Sequence, residues 1–188
     1  MNPIVTVVIL TYNHEKYIAQ AIESVLEQKT SYNYNILIGD DYSTDGTREI
    51  IKSIFEKNSA KIELLFPDKN LGALLNEKNC IEASKGKYIA FLEGDDYWAD
   101  NLKLQKQIDY LESHPDCGLV HGNVNHYYQT KGILLENINK TEESQLINDY
   151  SFESLLMSDK HSIKTMTTCF RSDIVKTHFD YQVAIERK

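Results

Sequence analysis

The chain has 188 residues, enough for one domain with a sizeable core, and its 41% apolar and 26% charged content is ordinary for a water-exposed globular protein. A net charge of -8, with acids spread along the chain, argues against nucleic acid or an anionic membrane surface as the main partner. Cys80, Cys117 and Cys169 share no close spacing, which removes a zinc knuckle and a CxxC redox pair and fits a reducing compartment.

The N-terminus opens on a strand-like run, with no basic leader and no cleavage site. No segment reaches the roughly 18 apolar residues of a membrane span, so the sequence predicts a soluble chain, cytoplasmic or peripheral to the inner face of the membrane. Ile4 to Leu10 is the first buried strand, and it stops at Thr11-Tyr12-Asn13-His14. From Glu15 to Gln28, Tyr17, Ile18, Ala21, Ile22, Val25 and Leu26 recur three and four apart, the spacing of an amphipathic helix. Tyr34 to Gly39 is the second strand, closed by Asp40-Asp41. Ser43 to Thr47 makes a turn in which Thr44 or Asp45 can cap a helix over Thr47 to Lys57, burying Ile50, Ile51, Ile54 and Phe55.

Lys61 to Phe66 is the third strand, Pro67 to Gly72 a loop, and Leu74 to Ser84 a helix with Gly86 as its C-terminal cap. Tyr88 to Leu92 is five bulky or apolar positions in a row, a strand buried on both faces, and it gives way abruptly to Glu93-Gly94-Asp95-Asp96. A helix follows over Leu102 to Leu111. Cys117 to Tyr128 reads as a strand weakened by Gly118 and Gly122, and 129–150 as a mobile loop or hairpin. Phe152 to Met157 reads as a short helix, Thr165 to Arg171 as a strand and Asp173 to Thr177 as the start of another helix. Tyr181 to Lys188 has no closing element and no cap, the look of a domain cut short.

Strands alternating with helices at this spacing predict right-handed crossovers and a mostly parallel sheet, which binds ligands outside the carboxyl ends of its strands. Those ends hold the candidate groups: Tyr12-Asn13, Asp40-Asp41 and Glu93-Asp95-Asp96. Three carboxylates within four residues repel one another unless a cation sits among them, and hard oxygens suit Mg2+ or Mn2+. Each candidate has a duller role as well. Asp40 or Asp41 can cap a turn, Tyr12 can be a core aromatic, His121 and His126 can be hydrogen-bonded strand residues, and Tyr97 and Trp98 can pack beneath the acidic loop.

The runs VVILTYNHEKYIAQAIESVLEQ, ILIGDDYSTDGTREII and NLGALLNEKNCIEASKGKYIAFLEGDDYW together resemble a family 2 glycosyltransferase of the GT-A fold. The resemblance covers Val5 to Leu111 and is weaker from Cys117 on. It implies an α/β sheet of the Rossmann-like kind and inverting transfer from a nucleotide-diphosphate sugar, a UDP-sugar first, with Mn2+ or Mg2+. Thr11 and Tyr12 would line the base pocket beside Asn13, and Asp41 would accept hydrogen bonds from the base or ribose. Lys78 falls where the family commonly has an arginine near the nucleotide. Glu93, Asp95 and Asp96 stand at the D-x-D-type metal site, with Glu93 in place of the more frequent aspartate and Asp95 also facing the donor.

On this reading residues 1–111 form the nucleotide-sugar half and 112–188 the start of the acceptor half of one domain. The acceptor would be a glycan or lipid-linked sugar, as in bacterial surface polysaccharide synthesis, with a homodimer left open. The general base is expected beyond Lys188, since Asp180 and Glu186 sit in no matching motif. Three rivals remain. An aspartyl-phosphate phosphatase would want an aspartate where Ser43 stands, and a nucleotidyltransferase would want a glycine-rich basic loop after the first strand. A non-catalytic module of the same fold is the third. A dinucleotide-binding domain would need a G-x-G-x-x-G that no strand supplies.

Overall fold

A computed structural model describes residues 3–136 and 163–177. Four parallel strands form the centre of the sheet: β1 (Val5–Thr11), β2 (Tyr34–Asp40), β3 (Ile62–Leu65) and β4 (Tyr88–Glu93). β1 lies between β2 and β4, with Thr11 opposite Asp40 and Leu10 opposite Glu93. The three acidic or polar strand ends are therefore neighbours because of register. Four helices connect or follow these strands: α1 (Ile18–Leu26), α2 (Thr47–Asn58), α3 (Ala73–Ala83) and α4 (Lys103–Ser113).

Successive side chains of a strand point to opposite faces, and both faces here are covered. Val5, Val7, Ile9, Ile36, Ile38, Ala90 and Leu92 face Ile18 and Ile22 of α1, Ile51 of α2 and Ile108 of α4. Val8, Leu37, Ile89 and Phe91 face Cys80 and Ile81 of α3 and Val175 of the helical residues 172–177. This two-sided burial is why the strands read as unbroken apolar runs.

Beyond α4 the sequence expectation needs revision. The stretch from Cys117 to Tyr128 is two strands, β5 (Leu119–His121) and β6 (His126–Tyr128), broken at the Gly122-Asn123-Val124-Asn125 segment. β6 pairs with β7 (Ile133–Leu135), so a hairpin does form, starting earlier than expected. In the expected strand from Thr165 to Arg171, the first three residues make a 3-10 turn and β8 is Thr168–Arg171. β8 runs antiparallel between β4 and β5, giving the sheet order β3-β2-β1-β4-β8-β5. The helix expected over Phe152 to Met157, most of the expected loop and the acids Asp180 and Glu186 lie outside the described residues.

Two local expectations also change. α1 starts at Ile18, later than Glu15; ahead of it the amides of His14 and Glu15 donate to Thr47 Oγ1 and Asp45. Gly86 does not cap α3, which gives way at Ser84. A side chain at Gly86 would stand 2.5 Å from the Thr6 backbone nitrogen, and its own amide donates to Thr6 Oγ1 at 3.0 Å. Close backbone approach, not a left-handed cap, requires glycine there. No helix among the described residues is long and apolar enough to cross a membrane.

Candidate functional site

An open cleft of about 370 Å³ lies at the carboxyl ends of β1, β2 and β4, lined by Thr11, Tyr12, Asp41, Asn76, Glu77 and Glu93 among others. Its β1–β2 side is built from loops that hold one another. Asn13, at φ 57°, donates its amide to Ser43 Oγ and accepts the Thr44 N–H on Oδ1. Glu15 accepts the Gly46 N–H, while Asp45 accepts the N–H groups of Glu15 and Thr47. The N-cap of α2 is Gly46 and not the expected Thr44 or Asp45, although Asp45 still accepts the first amide of the helix, that of Thr47. Burial pushes its carboxyl up, but the bonds from the Thr47 side chain and backbone and from Glu15 outweigh it and hold Asp45 below the usual range.

Asp40 is fully buried and paired with Arg48 and the Ser43 hydroxyl, so its role is the structural one. Asp41 lines the cleft, yet both its oxygens are engaged: Leu71 N–H donates to one at 2.7 Å and Gly72 N–H to the other at 2.9 Å. It fixes the loop that launches α3. Tyr12 is 44% exposed with its ring at the cleft, not in the core.

The end of β4 is different in kind. A side chain at Gly94 would meet Thr11 Oγ1 at 2.6 Å and His14 Nδ1 at 2.8 Å, so the acidic turn lies directly against the end of β1. His14 Nε2 stands 4.0 Å from Asp95 Oδ2. Burial first, then Asp95, Glu77 and Asp96, push the Glu93 carboxyl up to about 7. Burial and Asp95 raise Asp96 against the pull of His126 and His14, and burial raises Glu77.

Among the described residues no three His, Cys, Asp or Glu side chains form a ready-made metal cage. The donor chemistry nevertheless fits a divalent cation. Hard oxygens that hold their charge reluctantly are relieved by one, and Mg2+ or Mn2+ takes one or two carboxylates plus water and phosphate oxygens.

Of the residues the sequence singled out, Thr11, Tyr12, Asp41 and Glu93 meet at the cleft; Asp95 and Asp96 follow Glu93 in the acidic turn but do not line the cleft, and Asn13 is spent on the loop. Lys78 is not among the lining residues and pairs with Glu82, four residues on. Glu77, one position earlier, faces the cleft instead. Trp98 is buried in the core, its indole N–H donating to the Met166 carbonyl at 3.0 Å, whereas Tyr97 is 50% exposed instead of packing beneath the acidic loop. Sequence reasoning passed over His14, Asn70, Asn76 and Glu77. His14 alone had a signal, its place in the strand-end run.

A family model described as glycosyl transferase family 2 matches residues 6–176. An uncharacterised protein of Mycobacterium tuberculosis is 38% identical over 111 residues, 59% of this chain and 32% of that protein. The UDP-Glc:alpha-D-GlcNAc-diphosphoundecaprenol beta-1,3-glucosyltransferase WfaP of Escherichia coli is 34% identical over 136 residues, 72% of this chain and 50% of WfaP. This chain therefore spans a third to a half of these relatives. Among solved structures, the mannosyltransferase PcManGT of Pyrobaculum calidifontis, in complex with GDP-Man and Mn2+, superposes with a TM-score of 0.69 at 18% identity, over 95% of this chain and 47% of that one. The likeness is one of fold, the GT-A arrangement of a mostly parallel sheet flanked by helices.

Proposed function

The chain belongs to glycosyl transferase family 2, and from that premise we propose that it moves a sugar from a nucleotide-diphosphate donor to an acceptor hydroxyl, with inversion and with a divalent cation at the end of β4. The observation that carries the proposal is the single cleft shared by the ends of three adjacent parallel strands, with Tyr12, Asp41 and Glu93 on its walls. The nucleoside lies on the β1–β2 side, its base against the exposed Tyr12 ring and beside Thr11. Asn13 and Asp41 hold the two loops that frame it.

Departure of the nucleoside diphosphate builds negative charge on its β-phosphate, and catalysis needs that charge met where it develops. Asp95 and Asp96, with Glu93 behind them, would hold Mn2+ or Mg2+, which supplies Lewis-acid neutralisation of that charge when bound. Thr11 and His14, in contact with the acidic turn, set its position. The acceptor hydroxyl gives its proton to a carboxylate base within hydrogen-bond reach, assigned to a residue downstream of those described. A UDP-sugar donor and a lipid-linked glycan acceptor in surface polysaccharide synthesis are the substrates this reading favours, supported by the name of WfaP. A nucleotidyltransferase is disfavoured by the loop after β1, which is neither glycine-rich nor basic and is tied to Ser43, Asp45 and Thr47.

Titration calorimetry with UDP, GDP and dTDP, with and without Mn2+, tests the proposal. Metal-dependent heat with at least one of them is expected, and Asp95→Asn should weaken the metal-dependent part by about tenfold or more. No metal-dependent heat with any nucleotide would sink it and leave a non-catalytic module of the same fold.

A further inference from the structure

Between Gly94 and Leu104 the only buried residue is Trp98, two positions after Asp96. The acidic turn is therefore anchored at two ends. Gly94 lies against Thr11 and donates its amide to the Leu10 carbonyl at 2.8 Å, and Trp98 holds the other end from within the core. Where Asp95 and Asp96 stand between those anchors depends on how firmly the indole is seated. The Trp98 backbone N–H donates to Ser24 Oγ at 3.1 Å, and its ring N–H to the Met166 carbonyl at 3.0 Å.

The face of the ring is taken by a charge. Lys103 Nζ stands 4.1 Å from the ring centroid and donates to Gln107 Oε1 at 2.6 Å. Gln107 is itself buried, and its Nε2 donates to the Thr167 carbonyl at 2.8 Å. One ammonium thus joins two side chains that hold adjacent carbonyls of the 3-10 turn leading into β8.

A lysine is an unfavourable choice for that place on two counts. It is the first residue of α4, where the helix dipole opposes a positive charge. Among the described residues it also has no ion pair, since Asp100, which acts on it from a distance, is paired with Lys106 at 2.7 Å. Burial pushes the Lys103 ammonium down to about 8, which leaves it charged at neutral pH. An apolar side chain would fill the space without desolvating a charge, so packing does not explain the lysine. The indole does, because tryptophan offers a cation its best aromatic face and the contact strengthens away from water.

We propose that Lys103 is a positioning residue of the acidic turn: its ammonium clamps Trp98 to Gln107 and to residues 165–167, and so fixes where Asp95 and Asp96 meet the cation. This rests on the reading above that the turn holds a divalent cation, and goes beyond it by assigning the turn's placement to a residue outside the cleft.

The test compares wild type, Lys103→Met, which keeps the stem and loses the charge, and Lys103→Arg, which keeps the charge. Trp98 is the sole tryptophan of the chain, so its emission reports on the seat directly. In the metal-free protein acrylamide should quench Trp98 more steeply in Lys103→Met than in wild type or Lys103→Arg. Calorimetry then follows UDP, or GDP or dTDP if either binds tighter, over a series of Mn2+ concentrations. The Mn2+ concentration giving half of the metal-dependent heat should rise about tenfold in Lys103→Met, the usual effect of loosening the groups that orient metal ligands. It should stay near the wild-type value in Lys103→Arg, whose guanidinium also stacks on an indole face. A merely structural lysine would lower the melting temperature of Lys103→Met and leave its Mn2+ dependence where wild type has it, and that result overturns the inference. So does a Lys103→Arg no better than Lys103→Met, or quenching that is the same in all three proteins. Should Lys103→Met fail to fold by far-ultraviolet circular dichroism, Lys103→Gln repeats both measurements with the same outcomes. If wild type itself gives no metal-dependent heat with any of the three nucleotides, the cation reading has failed and the inference falls with it, a result distinguished by its appearing without any substitution.

Discussion

The acids at the end of β2 and the acids at the end of β4 are the same chemical groups in opposite situations. Asp40, Asp41 and Asp45 are answered in full, by Arg48, by backbone amides and by hydroxyls within the chain. Glu93 and Asp96 are answered by nothing comparable, and burial together with their neighbours pushes both carboxyls upward. The β2 end is finished architecture, whereas the β4 end holds charge that the protein alone does not balance. Acidic residues at a strand end therefore say little by count. What separates structure from chemistry is whether the surrounding chain supplies their partners.

Substitutions on the two sides should behave in opposite ways. The largest effect belongs to the finished side. Arg48→Ala leaves the buried Asp40 carboxylate without its cation and removes the guanidinium from its place over the Phe66 ring, so urea denaturation should show a loss of about 3–5 kcal/mol. On the unfinished side Glu93→Gln should stabilise the metal-free protein. The Glu93 carboxyl titrates near 7 when folded and at its ordinary 4.5 when unfolded, so the folded state binds more protons between those values. Stability of the wild type should therefore fall as pH rises from about 4.5 to 7, by about 1–2 kcal/mol once the partial solvation of the side chain is discounted. Thermal melts across that window should slope downward for wild type and flatten for Glu93→Gln; a flat wild-type profile would place the acidic turn among the balanced sites. Asp45→Ala, which removes the acceptor of the Thr47 and Glu15 amides, should cost about 1 kcal/mol in the same denaturation assay. Smallest is Lys78→Ala. Its partner is the solvent-exposed Glu82, four residues on in α3, so stability should move by no more than about 0.5 kcal/mol and nucleotide affinity by calorimetry should be unchanged.

The strand ends were legible because β1, β2 and β4 are buried on both faces, which makes each run apolar and its polar stop conspicuous. Their adjacency followed from the alternation of strand and helix. The cleft wall made by α3 was not legible in the same way. Consecutive helix residues are 100° apart, so whether Glu77 or Lys78 meets the ligand depends on how the helix is rotated, and that is set by Cys80 and Ile81 packing on the sheet. Asn76 was invisible for the same reason, since an isolated asparagine in a helical pattern carries no mark of being buried. The β8 pairing was hidden by distance, because an antiparallel strand inserted between β4 and β5 has no local signature, and Gly122 showed only that the run there was weak.

That insertion bears on how the molecule is made. β4 is made before the strand that pairs with its outer edge, which comes from residues 168–171, well downstream of it. Until that segment has left the ribosome, an apolar and fully formed strand presents a bare row of amides and carbonyls, the surface on which nascent chains pair wrongly with one another. Translation that stalls before this point should yield aggregates instead of a smaller folded domain, and expression of the protein should respond to holdase chaperones that shield such edges.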